Sequence, residues 1–233
     1  MKILSIGDLH TKSWIIEEVE KLVDNYDAVV FVGDYADNWN TGPGQAMATW
    51  RLLKMLMDSN PNVHAVIGNH DYAYIHPEIA GRSSGWNPIT YQLINAPENK
   101  KIKDWLLSLP VVLELDGVSY SHAGITEQWN GELDVASLWN DQSPIWARPR
   151  EFGGSVTYKN IKQVIGHNAS EKIWQPQEGV WCIDTFSEHQ DNTPIGDQTL
   201  LEIVDGKEFN IIKLKEIQNE DNNNPSGEQD SVS

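Results

Sequence analysis

The sequence has one cysteine, Cys182, in 233 residues. A single thiol excludes an internal disulfide and suits a reducing compartment. Basic residues are also scarce: Lys and Arg number 17 against 34 Asp and Glu, a formal charge of −17. That balance disfavours nonspecific binding to nucleic acid or to an anionic membrane, both of which need basic surface. It leaves room for a local basic pocket, and acids gathered around a metal contribute charge that bound cations offset. No apolar run approaches the length of a membrane span, and "MKILSIGDLH" reaches an acid and a histidine before any signal-like segment develops. The expectation is a soluble, cytoplasmic protein, with its oligomeric state left open.

What is present is a globular composition, 39% hydrophobic and 22% charged, in a chain long enough for one large domain. Apolar runs at Lys2–Asp8, Asp27–Asp34 and Asn62–Asn69 read as buried strands, separated by helical periodicity over Ser13–Asn25 and Gly44–Ser59. Three such alternations argue for βαβ units with parallel pairing. Residues 72–97 show no clean period, so 72–110 reads as an irregular insertion or lid that ends in a helix near Asn99–Ser108. Asp116-Gly117 and Asp205-Gly206 mark hairpins, and further strands are expected at Gln163–Gly166, Val180–Asp184 and Thr199–Val204. A single mixed α/β domain over residues 1–215 is expected, followed by a disordered acidic tail over 216–233.

Five segments share one design: "SIGDLH", "FVGDYADN", "VIGNHD", "SYSHAG" and "VIGHN". Each is an apolar strand that ends in Gly or Ser beside metal-ligand residue types. Ligands of open α/β sheets gather beyond the carboxyl ends of strands, where separate loops meet. Any one segment alone reads first as a turn, because Asp, Asn and Gly favour turns and bond to their own backbone. Taken together they place four of the seven histidines, His10, His70, His122 and His167, at strand ends next to other ligand types. Ordinary turns do not explain that clustering; a metal site does. Carboxylate, amide and imidazole in mixture suit hard or borderline divalent ions rather than a thiolate site.

In this order, over Gly7–His167, "GDLH", "GDYADN", "GNHD", "SHAG" and "GH" resemble the calcineurin-like metallophosphoesterase superfamily. The similarity is to its serine/threonine-phosphatase-type branch, which includes bacterial and phage phosphatases and symmetrical dinucleoside-tetraphosphate hydrolases. It implies an α/β fold, a four-layer αββα sandwich of two mixed sheets flanked by helices, with metals at the strand ends. It also implies two divalent ions, manganese first, with iron, zinc, nickel or magnesium as other candidates. Asp8 and His10 would hold one ion, Asp34 would bridge both, and Asn69, His122 and His167 would complete the second. His70 matches the catalytic histidine that protonates the leaving oxygen, and Asp37 the acid that orients it. The nucleophile would be hydroxide bridging the two ions. The implied substrate is phosphorylated: a phosphomonoester, as in a phosphoprotein or small ester, or alternatively a nucleotide or dinucleoside polyphosphate. A non-catalytic scaffold on the same fold would have lost ligands that this sequence keeps.

"IWARPRE" resembles a feature of the same branch, an Arg after a Trp, which makes Arg148 the candidate for holding phosphate oxygens during catalysis and Arg150 the neighbouring option. Where the branch places Asp-Arg-Gly after its second motif, this chain has Asp37, Asn38 and Trp39. The phosphate-binding Arg is therefore missing, and Asn38 stands in its place as a substrate-binding candidate. Asp71 stands where protein phosphatases commonly have Glu, and Asp184 in "CIDT" reads as structural. Ten Trp, several of them in loops, read first as core and lid packing, with stacking on a base as the alternative.

Overall fold

In the computed structural model, which describes residues 1–214, the apolar runs become strands buried on both faces. Strand β1 (Lys2–Ile6) is followed by helix α1 (Ser13–Glu20), strand β2 (Ala28–Phe31), helix α2 (Pro43–Ser59) and strand β3 (Val63–Ala65). These three strands pair in parallel, with Leu4 opposite Val29 and Val30 opposite His64. Residues of β2 alternate: Val29 and Phe31 face the helices, whereas Ala28 and Val30 face a second sheet. Double-sided burial is why "AVVFV" is continuously apolar instead of alternating.

The chain then forms helices α3 (Asn69–Ile75), α4 (Pro88–Asn95) and α5 (Lys100–Ser108), and the hairpin β4 (Val112–Leu115) and β5 (Val118–Ser121). A long connection carries the short helix α6 (Val135–Leu138) and leads to β6 (Gln163–Ile165), β7 (Trp174–Gln177), β8 (Val180–Cys182), β9 (Thr199–Val204) and β10 (Glu208–Lys213). The result is two five-stranded mixed sheets, ordered β10-β9-β1-β2-β3 and β4-β5-β6-β8-β7. Ile3, Val30 and Val66 of the first half meet Tyr120, Val164 and Ile183 of the second, and form the layer between the sheets. Helices cover the outer face of the first sheet. Ala147 and Tyr158 of the long β5–β6 connection pack on Ile165, Val180 and Cys182 of the second. Among the described residues no helix is long and apolar enough to cross a membrane.

Three local expectations need correction. The segment 72–97 is more regular than its composition suggests. Most of α3 and all of α4 lie in it, and α4 is started by Pro88 at its first position and by Asn87, whose side chain accepts from Ile89 N and Thr90 N (2.8 and 3.2 Å). The third strand stops at Ala65, and "GNHD" opens α3, with Gly68 as its cap. Strand β7 was not foreseen, because "WQPQ" contains Pro and two Gln in an edge strand. The tail expectation for 216–233 lies outside the described residues.

Asp71 of α3 fastens the loop after β2. Its fully buried carboxylate accepts from Tyr35 N (3.1 Å), Ala36 N (3.0 Å) and Trp50 Nε1 (2.7 Å). An amide offers one acceptor where these donors use both carboxylate oxygens. Asp71→Asn is therefore expected to lower the unfolding free energy by about 1–3 kcal/mol in urea denaturation; an unchanged midpoint would show that these bonds do not hold the loop.

Candidate metal centre

The two sheets each contribute three parallel strands, β1, β2 and β3 from one and β5, β6 and β8 from the other. Each of the six is followed by at least one residue of the site: Asp8 and His10, Asp34 and Asp37, Asn69 and His70, His122, His167, and Asp184. Loops from two sheets reach one point only if backbones pass very close. A Cβ on Gly68 would lie 2.1 Å from Asp34 N, and one on Gly166 would lie 1.9 Å from Asp8 Oδ1. Both positions therefore demand glycine for space. His10, Asp34, Asp37 and His167 take left-handed backbone angles (φ 43, 52, 61 and 67°), a conformation Asp and His tolerate better than most residues and one that gathers at functional sites.

Asp34, His122 and His167 present ligand atoms within 4.8 Å of one another. His122 Nδ1 lies 2.9 Å from Val32 O, so Nδ1 carries a proton and Nε2 is turned inward. Around that Nε2 stand Asn69 Oδ1 at 2.8 Å, His167 Nδ1 at 3.1 Å and Asp34 Oδ2 at 3.2 Å. One proton on Nε2 can serve only one of those three buried acceptors. A divalent cation among them satisfies all four atoms, and the donor set fits one. Burial, then the nearby His122 and Arg148, push the His167 imidazole well below its usual pKa, toward the neutral form a metal requires.

A second group comprises Asp8, His10 and Asp184, also within 4.8 Å. His10 Nδ1 donates to Asp37 O at 2.8 Å, which leaves Nε2 toward Asp8 Oδ2 at 3.9 Å. Asp8 is pushed well above the ordinary carboxylate range by burial first, then by Asp184 and Asp34. Asp184 is raised mainly by burial. Asp34 stays ionised: burial opposes its charge, and His122 and His70 outweigh it. Such crowding of acids is what a bound cation relieves. Asp184, read from the sequence as structural, stands in this group as a candidate ligand. It shares with the other five segments an acid just past an apolar strand, "VWC", but not the Gly or Ser that ends each of them. Asp34 itself groups with His122 and His167, while its carbonyl accepts from Leu9 N and His10 N (3.0 and 2.9 Å) and so fixes the loop of the other group.

His70 stands beside both groups, its ring edge-on to His10 with centroids 5.4 Å apart. Its Nδ1 donates to Asp37 Oδ2 at 3.0 Å, and its Nε2 lies 3.8 Å from Asp34 Oδ2. Burial disfavours the charged ring, but Asp34 and the bond to Asp37 outweigh burial and raise it to about 9. Asp37 thus orients two imidazoles at once, His10 through its carbonyl and His70 through its carboxylate.

A cleft of about 250 Å³ opens over these residues; Arg148, Asn38, Trp39 and Glu188 also line it. Arg148 Nη1 donates to Asn168 Oδ1 at 3.3 Å, which aims the guanidinium across the cleft. Asn38 Nδ2 donates to Glu188 Oε2 at 3.0 Å, and the half-exposed Trp39 donates through Nε1 to Glu188 O at 3.2 Å. Arg150 is not brought to the site. It is exposed, starts the turn Arg150–Phe152, and lines a separate groove with Glu151 and Gln177.

A family model described as calcineurin-like phosphoesterase matches residues 1–212. A symmetrical bis(5′-nucleosyl)-tetraphosphatase of Aromatoleum aromaticum is 30% identical over 190 residues, covering 78% of this chain and 62% of that protein. One from a Janthinobacterium species is 29% identical over 142 residues, 58% of this chain and 48% of that protein. The chain spans less than two thirds of the length of these relatives. Among solved structures, a cold-active protein-tyrosine phosphatase of a Shewanella species aligns with a TM-score of 0.60 at 16% identity, over 91% of this chain and 80% of that one. A serine/threonine phosphatase of Saccharomyces cerevisiae gives 0.54 at 12%, over 91% and 80%. At these identities the likeness is one of fold.

Calorimetric titration with Mn²⁺ should show two ions per chain. Asp184→Asn should weaken one of them by about 10–100-fold and leave the other. One ion in the wild type, or an Asp184→Asn protein that binds both as before, would contradict the two-group assignment.

Proposed function

The chain belongs to the calcineurin-like phosphoesterase family, and on that premise we propose that it hydrolyses phosphate esters with two divalent ions, manganese first among the candidates. The observation that carries this reading is the arrival of six parallel strand ends at two ligand groups, with a buried acid–imidazole pair beside them. Because those ends come from residues 8 to 184, one domain would carry the whole site.

The ions, when bound, act as Lewis acids toward phosphoryl oxygens and acidify water. The chain supplies the remaining functions. Arg148 presents a planar pair of donors to the nonbridging oxygens. Water adds to phosphorus, losing one proton to solvent, from which His70 is later reprotonated, while the bond to the leaving oxygen breaks. That oxygen keeps the electron pair and takes the Nε2 proton of His70. Asp37 retains the Nδ1 proton, so the proton given up is the one facing the cleft. Asp34 and Asp37 raise His70 to about 9 and so favour its charged form at neutral pH; cations held at Asp34 would oppose that rise and bring it toward the working range of a general acid.

The leading substrate reading is a phosphomonoester. A second reading, a nucleotide or dinucleoside polyphosphate, is supported by the activity for which the tetraphosphatase relatives are named and by the cleft wall. There Trp39, 47% exposed, offers a stacking face beside the Glu188 carboxylate. A carboxylate repels a small phosphate dianion but accepts from ribose hydroxyls.

Wild-type protein should hydrolyse p-nitrophenyl phosphate only with a divalent ion present, and Asp34→Asn should abolish that dependence. An absence of metal-dependent turnover in the wild type overturns the reading. On a substrate panel, His70→Asn should cost about 10²–10⁴ in kcat wherever the leaving group needs a proton. Comparing phosphopeptides, nucleotides and dinucleoside tetraphosphates by kcat/KM decides between the two substrate readings.

A further inference from the structure

Helix α3 presents two side chains to one carboxylate. His70 and Tyr74 are one turn apart, four residues along the helix, and so share a face. His70 Nδ1 donates to Asp37 Oδ2 at 3.0 Å, and the Tyr74 hydroxyl donates to Asp37 Oδ1 at 2.5 Å. The hydroxyl in turn accepts from Asn87 N at 2.7 Å, the residue that caps α4. Both oxygens of Asp37, a buried carboxylate on left-handed backbone, are thus held by one helix. Tyr74 has no freedom to leave: it is fully buried, its ring stacks on Trp86 (6.0 Å, 13°) and meets Trp50 edge-on (5.5 Å, 74°).

We infer that Tyr74 is a positioning residue for proton transfer. It fixes the plane of the Asp37 carboxylate, and through Asp37 the direction in which His70 Nε2 faces. No bond of Tyr74 changes in the reaction. The hydroxyl needs to stay a donor to Asp37 Oδ1, and Asn87 N keeps it so by occupying its acceptor side. Without it, a buried acceptor loses its partner and the carboxylate is free to rotate away from the imidazole. The segment around Ser84 and Gly85, which lines the cleft, also supplies Trp86 and Asn87. The wall of the cleft and the aim of the proton donor are therefore set together.

This inference rests on the reading of His70 as general acid. A proton donor matters in proportion to how badly the leaving oxygen needs a proton. The test compares kcat for phenyl phosphate, a poor leaving group, with 2,4-dinitrophenyl phosphate, whose phenolate departs without one. Both are measured with Mn²⁺, for wild type, Tyr74→Phe and His70→Asn. Tyr74→Phe keeps the packed ring and removes the hydroxyl. It should lower kcat on phenyl phosphate about tenfold and on the dinitrophenyl ester less than about twofold. The ratio is taken within one protein, so a reduced folded fraction cancels. Equal loss on both esters, or loss on neither, would overturn the role of Tyr74 if His70→Asn still shows the leaving-group dependence. Absence of that dependence in His70→Asn would instead overturn the general-acid reading. If Tyr74→Phe does not accumulate as folded protein, 4-fluorophenylalanine at position 74, which fills the space of the hydroxyl without donating a hydrogen bond, replaces it. A changed ratio then supports the inference and an unchanged ratio overturns it.

Discussion

Three carboxylates, Asp8, Asp34 and Asp184, sit at 1, 2 and 1% exposure beside one another, and the structure is organised around the charge this concentrates. Isolated buried ions cost several kcal/mol each and persist only where charge and hydrogen bonds compensate them. Part of the compensation is backbone: His167 N donates to Asp8, and His70 N to Asp34. For the rest we propose divalent cations, with His10, His122 and His167 as candidate ligands. The folding energy for such a centre comes from elsewhere, from the apolar layer between the sheets and the helix-covered face of the first sheet.

The same demand explains the local backbone. Six loops meet within a few ångströms, so glycine appears where one backbone runs against another. The left-handed conformation appears at three of the candidate ligands, His10, Asp34 and His167, and at Asp37. Asp37 shows how few residues the arrangement uses. Its carbonyl aims His10 and its carboxylate aims His70, the proposed general acid, while Asp71 and Trp50 hold the loop it stands on. A shift of this single loop would disturb both ion groups and the proton donor together.

Much of this was legible in the residue order. Buried parallel strands leave continuous apolar runs, and their carboxyl ends carry the polar ligands, so five of the six ends could be read directly. The sixth was not, because "VWCIDT" lacks the Gly or Ser that ends each of the other five strands and carries a single ligand-type acid, and only the pairing of β8 with β6 brings Asp184 to Asp8. Arg148 and Arg150 could not be separated by sequence, being two residues apart in a loop; the turn at Arg150–Phe152 directs one to the cleft and the other to solvent. The helix α4 was hidden because "PITYQLIN" is short and follows the Gly- and Ser-rich run "GRSSGWN". The role of Tyr74 depends on a contact across thirty-seven positions of sequence, which no local pattern carries.

The central claim is that these six strand ends hold two divalent ions side by side in one protein. Electron paramagnetic resonance of the protein loaded with Mn²⁺ tests it most directly. The account predicts the spectrum of a coupled manganese pair once two equivalents are bound. A spectrum of isolated Mn²⁺ ions at every loading would contradict it.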